Sequence, residues 1–212
     1  MPGLLYHLAC GNLVWKSKSN LDYKAFMLGN LIPDLAKDKN LSHYRYVGRG
    51  GWGTPDLKEA KQDLWKNDPA KLGAYCHLLL DYHFFANYLG SKYRLSDDGT
   101  KVLSNNGSQN WPVKVFLSND GLYGCYSHFN PNLVADSFIP KQIFNLSEKA
   151  PLIGLERFDE RSGRNWRTEI AKYLSDPALN APELFTYTEL KTMIEEGAKL
   201  FLHELNTQSL GQ

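Results

Sequence analysis

The sequence has few cysteines, no long hydrophobic run and no surplus of either charge, and each shortage closes off a class of protein. Its three cysteines, Cys10, Cys76 and Cys125, are widely separated and form no Cys-x-x-Cys, so reduced thiols are expected rather than a disulfide framework or a zinc knuckle. No stretch approaches the roughly 18 uninterrupted apolar residues of a membrane span, and the first residues lack the basic, apolar and small-residue succession of a secretory signal. A cytoplasmic protein is the expectation. Lysine and arginine number 24 against 23 aspartates and glutamates, and this net charge of +1 offers no bulk attraction to nucleic acid or to an anionic membrane. Alternation of apolar and polar residues is sparse, and no repeat or low-complexity tract occurs. Few strands are therefore expected.

What is present is helical periodicity. Apolar spacing predicts helices over residues 4–15 and 22–32, the second stopped by Pro33. Thr54-Pro55-Asp56 reads as an N-cap, a first-turn proline and an acid, opening a helix to about Asn67, and Asp68-Pro69 opens the central helix to about Leu89. The stretch from Gly90 to Asn110 reads as a polar loop. Two short helices are expected in 111–139, one over 164–175, and a last one over 188–206 with Leu190, Ile194, Leu200, Phe201 and Leu205 in the core. The expected fold is a single all-α domain, a helical bundle whose first ninety residues carry the chemistry and whose second half supports them.

The chemistry concentrates on the central helix. His77 and Asp81 stand four residues apart, about 40° around the helix axis, among Leu, Tyr and Phe. A divalent cation would satisfy both, and so would a hydrogen bond between them in the core. His7 lies in an apolar stripe and Asp34 follows the break at Pro33, placed either to cap a turn or to reach a metal. His43 sits in a polar connecting segment, Asn40-Leu41-Ser42-His43, where packing gives no reason for it. The glycine-rich stretch Gly48–Gly53 follows no strand and fits a loop rim better than a nucleotide cradle.

The succession Met1-Pro2-Gly3 with His7, Gly29-x-x-x-Pro33-Asp34, His43, and Gly73-x-x-x-His77-x-x-x-Asp81 resembles the zinc-dependent phospholipase C family, an all-helical fold related to the single-strand zinc nucleases. The resemblance covers about the first ninety residues. It implies metal-ligand roles for His7, Asp34, His43, His77 and Asp81, a general-base role for Asp34, and bound zinc; secreted members hold three ions, and two are expected here, zinc or else manganese or another divalent ion. That family also uses a further histidine on the central helix, a later His-x-x-x-Glu pair and the terminal amine. Here no His-x-x-x-Glu occurs, His83 is the one candidate for the extra histidine, and the amine of Pro2 is the candidate terminal ligand.

Five side chains with one bridging carboxylate would fill about six of the eight positions of two tetrahedral zincs, leaving room for a water acidified toward hydroxide and for a substrate oxygen. Lys37, Arg45 and Arg49 are candidate phosphate contacts. The activity implied is a metal-dependent phosphoric-ester hydrolase, a phosphodiesterase acting on a small phosphodiester, a nucleotide or a phospholipid, with no obligate protein partner. An HD-type phosphohydrolase is the rival enzyme, although no adjacent His-Asp occurs here. A metal-stabilised binding or scaffold protein, presenting the surroundings of Trp52 and Trp111, is the rival of another class.

Overall fold

The structure, a computed structural model, describes residues 3–47, 52–147, 151, 153–160, 162, 165–175 and 183–209. Helix α1 (Leu4–Ser17) is apolar on nearly every side and is buried accordingly. The next helices begin on aspartates whose carboxylates accept backbone N–H bonds of the first turn: Asp22 for α2 (Tyr23–Leu35), Asp38 for α3 (Lys39–Ser42), Asp56 for α4 (Leu57–Leu64) and Asp68 for α5 (Pro69–Tyr82). After Tyr82 the same helix axis continues as a π-helical stretch, His83–Leu89, and a final turn, α6 (Gly90–Lys92).

Helices α2 and α5 form the most extensive pairing in the molecule, and two glycines make it possible. A β-carbon on Gly29 would stand 2.1 Å from the carbonyl oxygen of Ala70, and one on Gly73 2.1 Å from that of Phe26. The backbones touch where the sequence removes the side chains. Helix α1 lies against both, and the long C-terminal helix α11 (Tyr187–Ser209) closes the bundle over α1 and α5.

The second half wraps this centre with α7 (Val113–Phe116), α8 (Leu122–Ala135), a 3-10 turn (Lys141–Asn145), α9 (Glu156–Asp159) and α10 (Trp166–Ser175). The fold is therefore all-helical, with two small antiparallel sheets added. Strands β1 (Arg45–Val47) and β2 (Gly53–Pro55) pair across the glycine-rich segment, and β3 (Tyr93–Leu95), β4 (Lys101–Ser104) and β5 (Asn110–Pro112) form a three-stranded meander. No helix among the described residues is long and apolar enough to cross a membrane. All three cysteines are free and buried, with the sulfurs of Cys10 and Cys76 4.0 Å apart.

Several expectations are corrected. The stretch from Gly90 to Asn110 is a helical turn, α6, followed by a sheet rather than a loop, and the sheet's turns are tied by side chains: Asp98 accepts from Ser96 and Thr100, and Asn106 accepts from Ser108. Helix α2 runs through Pro33 to Leu35, since a proline this close to the end removes one hydrogen bond and the next turn closes through the Ala36 amide onto Ile32. Thr54 and Pro55 belong to β2, so the cap of α4 falls on Asp56. In α11 the core residues are Leu190, Met193, Ile194, Ala198 and Phe201, whereas Leu200 is 41% exposed.

Candidate metal centre

Three helices and a short segment converge on one buried point. His7 comes from α1, Asp34 from the last turn of α2, His43 from the residue after α3, and His77 with Asp81 from the second half of α5. All three imidazoles are fully buried and both carboxylates nearly so. The α2–α5 glycine contact sets the geometry, because it brings the Asn30 carbonyl within 2.8 Å of His77 Nδ1. His43 Nδ1 lies 2.9 Å from the carbonyl of Lys39, with the Ser42 hydroxyl, which donates to the Pro33 carbonyl, beside it.

A carbonyl only accepts, so each Nδ1 carries the proton and each Nε2 presents a lone pair. Those two Nε2 atoms face each other at 3.3 Å. The carboxylate of Asp81 adds Oδ2 at 3.5 Å from His43 and 3.7 Å from His77, and Asp34 Oδ1 stands 3.8 Å from His43 Nε2. Three acceptors, from His43, His77 and Asp81, thus converge with no proton among them, and Asp34 stands beside His43. Tetrahedral bonds of about 2.0–2.2 Å require ligand atoms roughly 3.3–3.6 Å apart, close to the spacing found.

A second group adjoins the first. His7 Nε2 lies 3.3 Å from Asp81 Oδ1, and its ring stacks on that of His77 with centroids 3.5 Å apart and planes 5° from parallel. Neither nitrogen of His7 has a hydrogen-bond partner, nor does Asp81 Oδ1. Buried polar atoms without partners are costly, and a cation between His7 Nε2 and Asp81 Oδ1 would satisfy both of those atoms. The groups His7–His77–Asp81 and Asp34–His43–His77 could each hold a metal ion, with Asp81 able to offer one oxygen to either side.

The electrostatics fit neutral imidazoles and ionised carboxylates. Burial holds His43 down to about 4 and His77 well below the usual histidine range, against the pull of Asp81 and Asp34. For Asp34 burial pushes upward, while His77, Lys39, His43 and His7 pull the carboxyl below its ordinary range, the histidines only where they carry a proton and Lys39 throughout. Asp81 behaves likewise, with His7 the strongest opponent of burial. Burial keeps His43 and His77 deprotonated near neutrality, and the ammonium beside Asp34 is that of Lys39, whose Nζ sits 2.8 Å from Asp34 Oδ1.

The structure thus brings together five of the predicted site residues and separates others. His83, two residues beyond Asp81, turns toward α11: its Nε2 is 3.2 Å from Glu196 and its Nδ1 3.0 Å from the amide of Asn87, so both nitrogens are committed away from the centre. Lys37 is exposed and paired with Glu160. Arg45 is half-buried near the centre, and its charge helps lower His43. Arg49 and Pro2 lie outside the described residues. Lys39 escaped the sequence reading although it directly precedes the quoted Asn40–His43 segment. Trp52 is buried, donating to the Tyr93 carbonyl and packed on Phe85 and Phe116, while Trp111 is half-buried against Tyr93 and Phe116. Neither forms an open interaction surface.

Asp34 connects the centre to the outside, lining a cleft together with the start of α1, residues of α8, and Lys172 and Tyr173 of α10. Comparison of the chain with family models, with curated proteins and with solved structures returns no match.

Proposed function

We propose that the protein is a metal-dependent phosphoric-ester hydrolase, a phosphodiesterase that uses two zinc ions and works in the cytoplasm. The observation that carries this reading is the convergence of buried acceptor atoms of His43, His77 and Asp81, 3.3–3.7 Å apart, with Asp34 beside them at a cleft. The resemblance of the first ninety residues to zinc-dependent phospholipase C, carried by these same residues, points the same way.

Asp34, His43, His77 and one oxygen of Asp81 would hold one ion, and His7 with the other Asp81 oxygen the second. Such ions supply Lewis acidity toward a phosphoryl oxygen and toward water. The chain's own residues do the rest. The carbonyls of Asn30 and Lys39 lock two imidazoles in the ligating tautomer and orientation. Asp34, the ligand on the cleft side, is kept ionised with Lys39 beside it and is the base assigned to take a proton from water entering there. The Lys39 ammonium at the same edge meets the phosphate oxygens, and burial of the other ligands keeps bulk water out of the centre.

Zinc-loaded protein is expected to hydrolyse bis(p-nitrophenyl) phosphate, with kcat falling about 100-fold or more in Asp34→Asn, the order of loss seen when a general base is removed. A panel of phosphomonoesters and phosphodiesters left untouched by protein carrying its full metal complement would contradict the hydrolase and favour a metal-stabilised binding protein.

A further inference from the structure

One wall of the cleft at Asp34 is a single face of α8, on which Tyr123, Ser127 and Asn130 follow one another at helical spacing. Two of these side chains are unspent. Asn130 is 5% exposed, yet its amide makes no hydrogen bond among the described residues, and both amide atoms keep contact with solvent. Since the residue lines the cleft, the part of it left open is an amide held in place by burial, with its donor and its acceptor both unmet by protein. Tyr123, 42% exposed, has neither a hydrogen bond nor a ring contact among the described residues. Burial raises its hydroxyl above the usual tyrosine range, with Arg45 pulling down and the carboxylates of Asp34 and Asp81 pushing up. The Tyr123 end of the face therefore lies within reach of the charges of the metal centre. Asn130, two turns later, stands about 20° around the helix axis from Tyr123 and about 10 Å further along it.

We infer that this face of α8 binds a nucleoside along its length: the ligand is a nucleoside phosphate ester, its phosphate at Asp34 and Tyr123 and the edge of its base on the Asn130 amide. The inference rests on the hydrolase reading, which places the phosphate at Asp34. The span decides against a smaller alcohol. Glycerol keeps all its polar atoms close to the phosphate and falls short of Asn130, whereas a nucleoside carries the donor and acceptor of its base to the far end. A carboxamide offers one donor and one acceptor side by side, the pair that adenine meets at N7 and N6. The volume of the cleft, about 430 Å³, is within the usual size of a small-ligand site.

The test is calorimetric titration of the full zinc-treated chain with three phosphomonoesters: adenosine 5′-phosphate, ribose 5-phosphate and glycerol 3-phosphate. The nucleotide is expected to bind about tenfold or more tighter than ribose 5-phosphate, the discrimination that one paired base edge provides. Asn130→Leu, close to asparagine in shape, and Asn130→Ala are each expected to remove that advantage while leaving the affinity for ribose 5-phosphate within about twofold. Equal affinities for the nucleotide and ribose 5-phosphate, tighter binding of glycerol 3-phosphate, or no binding of any of the three would overturn the inference, and none of these outcomes needs a variant. An advantage unchanged in whichever variant folds would overturn it too. The order is read without turnover. The expected order without hydrolysis therefore defeats the hydrolase reading alone, and hydrolysis of bis(p-nitrophenyl) phosphate without the order defeats the nucleoside assignment alone.

Discussion

His43 and His77 are aimed by two backbone carbonyls, and the burial that makes those contacts also keeps the rings unprotonated. A pH dependence follows for the metal-free protein. The folded state holds His43 down to about 4, while in the unfolded chain it titrates near the ordinary histidine value of 6.5. Between those values the unfolded state binds a proton that the folded state does not. The contribution of His43 is therefore complete above about pH 6.5 and is lost as pH falls toward 4, on the order of 3 kcal/mol for this residue. Urea unfolding of metal-free protein at several pH values should show stability falling across this window, and His43→Gln should flatten that slope. A slope identical in the variant would contradict the placement of a neutral, buried imidazole.

The same residue shows what the linear order conceals. His43 sits in a polar segment, and only the return of the chain after α3 buries it; nothing in Asn40–Ser42 foretells the Lys39 carbonyl that fixes its tautomer. His77 and Asp81 were legible because helical geometry alone puts them on one face. His83 was legible only as a type and a neighbourhood, since its partner Glu196 lies more than a hundred residues away in sequence.

Among the elements, the pairing of α2 with α5 is the one the centre depends on. Gly29 and Gly73 were visible as parts of a spaced pattern, but their physical reason is the backbone contact, which no periodicity reveals. Gly73→Ala places a β-carbon 2.1 Å from a main-chain oxygen of α2 and leaves the helices no option but to separate. A loss of about 3 kcal/mol or more in urea unfolding is expected, at the upper end of overpacking effects. Separation also pulls the Asn30 carbonyl from His77, so zinc affinity should fall by about 10- to 100-fold, as it does when a ligand's outer partner is lost. Wild-type stability in Gly73→Ala would contradict the close approach. The short sheets lay at the other extreme of legibility. Three- and four-residue strands carry too few alternations to register, and their turns are closed by polar side chains that read simply as loop.

Across the whole molecule, buried side chains from α1, α2, α5 and the residue after α3 share one centre, so any ion bound there ties the first half of the chain together. The second half, whose role the sequence left open, supplies α8 and α10 as walls of the cleft leading to it. Binding to the folded state alone adds about 4 kcal/mol when free metal is a thousandfold above its dissociation constant. For a chain of this length that corresponds to a rise in Tm of roughly 8–16 °C. Chelation should reverse the rise, and a Tm indifferent to both zinc and chelator would show that the centre holds nothing.

Metal content by mass spectrometry, on protein purified without a metal-binding tag and compared with His77→Ala shown to be folded, tests the account most directly. Two ions per chain in the wild type, with at least one lost in the variant, is the expected result. Folded wild-type protein that retains no ion after incubation with zinc or manganese would mean that the five side chains form a purely structural cluster, and the account would be wrong at its centre.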